Sequence, residues 1–224
     1  MKNECLIFYL KFPKESYVKT RLAKDIGTFH AVGLYRCFIL DLAATIQKLP
    51  QDILFCYSPE DAENMFRSWF GEKFYYLPQS EGDLGVRMKQ SFEQAFQNGY
   101  KRAVIIGSDS PDLPKEILEQ AFVELQKSDA VIGPSTDGGY WLIGFNSKVF
   151  CPEVFEGISW STETVFEETM KKLRFNRRSV TLMPEWIDID TLASLKTWYK
   201  RITPLSLDAY HTRTYLDTYV DLFQ

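Results

Sequence analysis

Four short segments hold the residues able to act on a phosphorylated ligand. The first, Lys11-Phe-Pro-Lys-Glu-Ser-Tyr-Val-Lys-Thr-Arg-Leu22, brings Lys11, Lys14, Lys19 and Arg21 together after an apolar run. Phosphate recognition needs several converging positive donors, and arginine adds a two-pronged fork. By itself this charge run reads as a solvated basic loop. The G-x-x-x-x-G-K-S/T spacing of a P-loop is absent. The second segment, Ile105-Ile-Gly-Ser-Asp-Ser-Pro-Asp-Leu-Pro114, sets Asp109 just past an apolar strand. A carboxylate there can hold Mg2+ or Mn2+ through one or two oxygens while the metal keeps water and reaches phosphate. Asp112, directly before Leu113-Pro114, suits a helix cap, whereas Asp109 does not. The third, Gly133-Pro-Ser-Thr-Asp-Gly-Gly-Tyr140, puts Asp137 either in a hairpin turn or at the same strand-end crevice as Asp109. The fourth, Trp186-Ile-Asp-Ile-Asp-Thr-Leu192, alternates Asp188 and Asp190 on one face of an extended segment. They are candidate second metal ligands, and Asp190 also fits as the cap of a helix starting at Thr191.

Two further groups carry weaker signals. Glu81-Gly-Asp-Leu-Gly-Val-Arg-Met88 opens a helix; its glycines permit close approach of a flat ligand such as a base, and Asp83 suits the helix cap. Ser159-Trp-Ser-Thr162 sets an aromatic face beside hydroxyls, a surface for sugar or base; a helix capped by Ser161 or Thr162 explains it equally well. His30 and His211 lie in helical contexts without a partner pattern and read as structural.

The elements that must position these groups alternate. Apolar runs at 5–10, 52–57, 74–77, 103–106, 130–133, 139–145 and 180–183 predict strands, and 187–189 a short extended piece. Helices are predicted over 30–48, 59–70, 83–98, 114–127, 162–173, 191–201 and 207–222, and a polar loop over 14–28. This order predicts an α/β fold, a mostly parallel sheet with helices on both faces. Such sheets bind ligands outside the carboxyl ends of their strands, where the basic loop and the Asp109 and Asp137 turns fall. One domain over 1–203 is expected, with 204–224 as its C-terminal helical appendage. Trp198, Tyr199, Tyr210, Tyr215, Tyr219 and Phe223 there either pack on the core or form a homodimer seam.

Composition narrows the class. The chain has 224 residues and a net charge of −4, so no global basic field points to nucleic acid. Cys5, Cys37, Cys56 and Cys151 form no C-x-x-C pair, which argues against a zinc or redox motif and suits a cytoplasmic location. No secretory signal is visible, and no membrane span of ~20 apolar residues is expected.

Taken in order, Pro13-x-x-x-x-Val-Lys-Thr-Arg-Leu22, Gly82-Asp-Leu-Gly-x-Arg-Met88, Ile106-Gly-Ser-Asp-Ser-Pro-Asp-Leu-Pro114, Asp137-Gly-Gly-Tyr140, Trp160-Ser-Thr162 and Asp188-Ile-Asp-Thr191 closely resemble the bacterial DUF2064 family of candidate glycosyltransferases with a GT-A fold, also called radical-SAM/selenodomain-associated transferases. The resemblance covers about residues 5–195. It implies a nucleotide-diphospho-sugar transferase fold, a divalent metal (Mg2+ or Mn2+), a nucleotide or nucleotide-sugar donor and a small-molecule acceptor. Lys11, Lys19, Arg21, Gly82, Asp83, Ser108, Trp160, Ser161 and Thr162 would then bind the ligand; Asp109, Asp188 and Asp190 would hold the metal, and Asp137 would orient or deprotonate an acceptor hydroxyl. The family usually carries Pro-Gly where this chain has Glu15-Ser16, and Arg where it has Lys11. Metal-dependent glycosyl transfer is the expected reaction. Nucleotidyl transfer with release of pyrophosphate, and nucleotide binding without turnover, stay open; the absence of glycine between Lys11 and Gly27 weighs modestly against the triphosphate cradle that nucleotidyl transfer needs.

Overall fold

The computed structural model describes residues 3–202 and 209–219. Its centre is strand β1 (Glu4–Lys11). Alternate side chains of β1 enter two separate cores: Leu6, Phe8 and Leu10 on one face, Cys5, Ile7 and Tyr9 on the other. That is why the run is apolar throughout: a strand buried on both faces has no polar side. β2 (Asp52–Ser58), β3 (Tyr75–Pro78) and β4 (Arg102–Ile106) join it in parallel. β5 (Ala130–Pro134), β6 (Tyr140–Asn146) and β7 (Val180–Leu182) complete a seven-stranded sheet in the order β3-β2-β1-β4-β6-β5-β7. β6 runs antiparallel to both of its neighbours. The Ser135–Gly139 turn before it is too short for a crossover, so an antiparallel return is the available geometry.

Helices α1 (Thr20–Ile26), α2 (Thr28–Ile46), α3 (Glu63–Phe70), α5 (Lys115–Glu124) and α7 (Leu192–Arg201) pack on the Leu6 face. α4 (Leu84–Gln97) and α6 (Val165–Phe175) cover the Cys5 face. The chain winds outward from β1 to β3, then returns to β4 on the other side of β1. The loops leaving β1 and β4 therefore diverge at a topological switch point, where open α/β sheets form a crevice.

Several local expectations change. The predicted polar loop over 14–28 contains α1, whose Leu22 and Ile26 are buried four residues apart among charges. Gly27, at φ 80°, separates it from α2. The helix predicted from 162 starts at Val165, because Ser161 takes φ 67° and Thr164 is the N-cap. Asp112 does not cap α5; its carboxylate accepts from Trp186 Nε1 at 2.8 Å and from Arg201 at 2.7 Å. Thr191, not Asp190, caps α7, in a capping box with Ser194.

α2 is long and apolar enough to cross a membrane by length and composition, and 56% of its apolar window is buried within the fold. The helix expected over 207–222 lies partly outside the described residues, as does Phe223; its described part is α8 (Tyr210–Thr218), which packs on α2. Tyr215 of α8 closes over Gly33 of α2 and shares a hydrogen bond with His30 Nδ1 at 3.0 Å, so this aromatic packs on the core. Cys5 and Cys56 are buried thiols.

Candidate active site

A cleft of about 1170 Å³ opens at the carboxyl ends of β1 and β4 and over the β5–β6 turn. Its walls include Lys11, Lys19, Arg21, Gly82, Asp83, Ser108, Asp109, Asp137, Trp160, Ser161, Thr162, Asp188 and Asp190. Lys14 and Glu15, from the same basic segment, are exposed and do not line it.

At the switch point, Lys19 ends the loop from β1 with its backbone in the left-handed region, φ 48° and ψ 39°. Its side chain is only 3% exposed, so it is no solvated surface lysine. The ammonium lies 2.5 Å from Asp109 Oδ1 and 2.7 Å from Asp190 Oδ1, and donates to Ile189 O at 2.6 Å. Burial pulls the Lys19 pKa down, but Asp109 and Asp190 outweigh it and hold the ammonium above the ordinary lysine range. Asp190 is correspondingly lowered, first by Lys19, despite its burial.

Two other carboxyls go the opposite way. Asp109 is raised by burial and by Asp190, against the pull of Lys19. Asp188 is pushed up to about 7, by burial first and then by Asp109, with Asp137 adding to it. Ser110 Oγ donates to Asp188 Oδ1 at 2.7 Å and meets Ile187 O at 3.0 Å, which ties the Asp188 segment to the turn after β4. A backbone bond from Ile189 N to Asp109 O, 2.9 Å, does the same. Asp137 sits in the β5–β6 turn and accepts from Ser135 Oγ at 2.5 Å and Gly139 N at 3.1 Å, both on Oδ1. The turn and crevice readings of Asp137 therefore coincide.

The other wall is built differently. Asp83 caps α4, its Oδ1 accepting from Val86 N at 2.8 Å. Gly85 is approached by the chain itself: a Cβ there would lie 2.5 Å from Phe155 O and 2.7 Å from the Trp160 ring. The close approach that glycine permits is thus used to seat Trp160 on α4. Thr162 Oγ1 donates to Ser159 O at 2.7 Å and shapes the turn before α6.

Sequence reasoning missed Tyr35, Ser110, Ser135 and Arg87. The Tyr35 hydroxyl, on α2, accepts from Lys11 N at 3.0 Å and meets Ser108 Oγ at 2.7 Å, joining the loops of β1 and β4. Burial, then Asp109, raises its pKa above the ordinary phenol range. Its place on the apolar face of a helix disguises it as core. Ser110, Ser135 and Arg87 lie inside quoted motifs, where only their neighbours drew attention. Arg87 lines the cleft and donates from Nε to Gly82 O at 2.9 Å.

Among the described residues no group of three or more His, Cys, Asp or Glu side chains converges to hold a metal. Asp109 and Asp188 remain as an oxygen-only pair whose mutual repulsion a cation would relieve. That donor set fits Mg2+ or Mn2+ sharing phosphate oxygens and water, the usual mode for Mg2+, and not an all-protein cage.

Known proteins share this fold. The chain superposes over its full length on a candidate nucleotide-diphospho-sugar transferase from Desulfovibrio desulfuricans G20, with 38% identity, 99% of that chain covered and a TM-score of 0.92. It shares its fold with a 4-diphosphocytidyl-2C-methyl-D-erythritol synthase from Anaerococcus prevotii (13% identity, 89% and 99% of the two chains, TM-score 0.57) and an inositol-1-phosphate CTP transferase from T. maritima (14%, 96% and 96%, 0.56). Among curated proteins none matches. The model of a family described as an uncharacterized protein conserved in bacteria matches residues 41–162, more than half of the sequence and most of the cleft walls. With its sequence motifs gathered at one switch-point crevice, the chain belongs to the DUF2064 family.

Proposed function

We propose that this protein is a metal-dependent transferase that moves a glycosyl group from a nucleotide-sugar donor to a hydroxyl of a small-molecule acceptor. The observation that carries this reading is the meeting of Asp109 and Asp188 with Lys11 and Arg21 in one cleft at the switch point. Lys11 and Arg21 are exposed on its rim and act electrostatically on the Asp190 carboxylate. There they can hold the donor diphosphate and stabilise the charge that builds on the leaving group. Asp109 and Asp188 would hold Mg2+ or Mn2+, which when bound supplies further neutralisation of the diphosphate. Asp137 has both of its protein hydrogen bonds on Oδ1. Its other oxygen is the group we assign to orient and deprotonate the acceptor hydroxyl. Trp160, on its platform at Gly85, offers an apolar face for the sugar or base. The 38% identity to a candidate nucleotide-diphospho-sugar transferase supports the donor class.

Thermal shift tests this reading with GTP, CTP, UDP-glucose and GDP-mannose, each with and without Mn2+, on wild type and Asp109→Ala. Ligand at a hundred times its Kd stabilises the native state by about 2.7 kcal/mol. A Mn2+-dependent shift with a nucleotide sugar, lost in the variant, is expected. No shift with any nucleotide sinks the donor site. Pyrophosphate release from a triphosphate and a phosphosugar replaces glycosyl by nucleotidyl transfer.

A further inference from the structure

Lys19 is arranged unlike a phosphate-binding lysine. An ammonium has three N–H donors and no acceptor. Here three oxygens surround it: Asp109 Oδ1, Asp190 Oδ1 and Ile189 O, at 2.5, 2.7 and 2.6 Å. Two carboxylates and a backbone carbonyl are the hard oxygen ligands a divalent cation selects. On the inner side the Tyr35 and Phe38 ring centres lie 5.8 and 5.6 Å from Nζ, so aromatic faces complete the enclosure. The backbone takes a left-handed conformation, rare for lysine, at the residue whose carbonyl accepts the first α1 bond from Ala23 N at 2.8 Å. Direction of the side chain is thus set by the start of a helix, not left to a mobile loop.

We propose that the Lys19 ammonium is a resident cation built into the Asp109–Asp190 seat, which closes that seat to metal and leaves a divalent ion only the Asp109–Asp188 side. The second half rests on the metal reading above; the first does not. With all three donors engaged, Lys19 has none for phosphate, and donor contact falls to Lys11 and Arg21. Asp190 then serves as a positioning residue for Lys19 and not as a metal ligand.

Binding of Mn2+ alone, followed by electron paramagnetic resonance, tests the seat. Lys19→Met removes the charge and keeps the length of the side chain. The variant is expected to hold one Mn2+ per chain at this seat, about tenfold or more tighter than any ion the wild type holds, because a competing like charge is gone. Equal stoichiometry and affinity in the two proteins overturns the proposal. The variant leaves two carboxylates without their counter-ion, so the unaltered chain supplies a second readout. Lysines are acetylated with an N-hydroxysuccinimide ester and located by peptide mass spectrometry. Lys11 and Lys14 are expected to react and Lys19 to stay protected, both with and without Mn2+. Acetylation of Lys19 that appears on adding Mn2+ means that metal displaces it, and overturns residence. The nucleotide-dependent shift of the wild type is read separately: its absence sinks the metal reading while Lys19→Met still decides the seat.

Discussion

Asp41 of α2 caps a helix to which it is not connected: its Oδ2 accepts both the backbone N–H of Thr212, at 2.8 Å, and the Thr212 hydroxyl, at 2.6 Å, while Oδ1 accepts His211 N at 2.8 Å. The N-cap of α8 is Ala209, whose methyl group offers no hydrogen-bond acceptor. A carboxylate 170 residues away supplies the missing acceptor and complements the positive end of the helix. Asp41→Ala is expected to cost about 2–3 kcal/mol, the range for hydrogen bonds to a charged group plus a lost cap. Urea unfolding followed by circular dichroism checks it; a loss below about 0.5 kcal/mol means α8 is held by its apolar contacts alone.

The same residue makes a pH prediction. Burial raises the Asp41 pKa, against the bonds from Thr212 and His211 and the pull of the His211 imidazole. A raised acid binds its proton more readily folded than unfolded, so its contribution favours the native state at low pH. That contribution falls as pH climbs from the ordinary aspartate range, about 4, through the raised folded value, and is flat above it. The stability difference between wild type and Asp41→Asn should therefore decline across that window. A difference that grows with pH reverses the sign and rules out burial as the dominant cause.

Ser110 is expected to matter for the site more than for the fold. Its hydroxyl bonds both Asp188 Oδ1 and Ile187 O. Ser110→Ala should weaken the Mn2+ dependence of nucleotide binding about tenfold or more, as loss of an orienting outer partner does. Its cost in stability should stay near 1 kcal/mol. Calorimetric titration and urea unfolding on one preparation separate the two effects.

Gly138, at φ 89°, has the Glu163 carbonyl oxygen 2.1 Å from where a Cβ would stand. Gly138→Ala should therefore lose more than the ~1–3 kcal/mol of left-handed strain alone, because the Asp137 turn must also part from the segment before α6. A urea midpoint unchanged from wild type is the contrary result.

Ser16 adopts φ 60°, a left-handed conformation that glycine would adopt without strain. Ser16→Gly is expected to change nucleotide affinity by less than about twofold and stability by less than ~1 kcal/mol, since relief of strain and loss of chain entropy offset each other. A large gain in affinity shows instead that Ser16 holds the loop in a poorer shape.

Much of the fold was legible because strand and helix periods are local. The unbroken apolar run of Cys5–Leu10 and the four-residue spacing of Leu34, Phe38, Leu42 and Ile46 report burial directly. α1 was hidden because two buried residues, Leu22 and Ile26, stand among charges in a helix of seven. The positions of Asp109 and Asp137 past strand ends were legible from the apolar runs before them, and both line the cleft. The partners of other residues were not: Asp112 looked like a cap and instead holds Trp186 and Arg201, and Gly85 looked open and instead seats Trp160.

By itself the sequence determined most of the strands and the longer helices, the faces they bury and which polar residues stand at strand ends, because these follow from periodicity and turn chemistry over a few residues. Only the tertiary structure decided that Lys19 stands between Asp109 and Asp190, that Tyr35 joins Lys11 to Ser108, and that Asp41 caps α8. Each of these pairs elements far apart in the chain. Their meeting depends on the strand order and on the direction in which each crossover returns, and no local spacing encodes either.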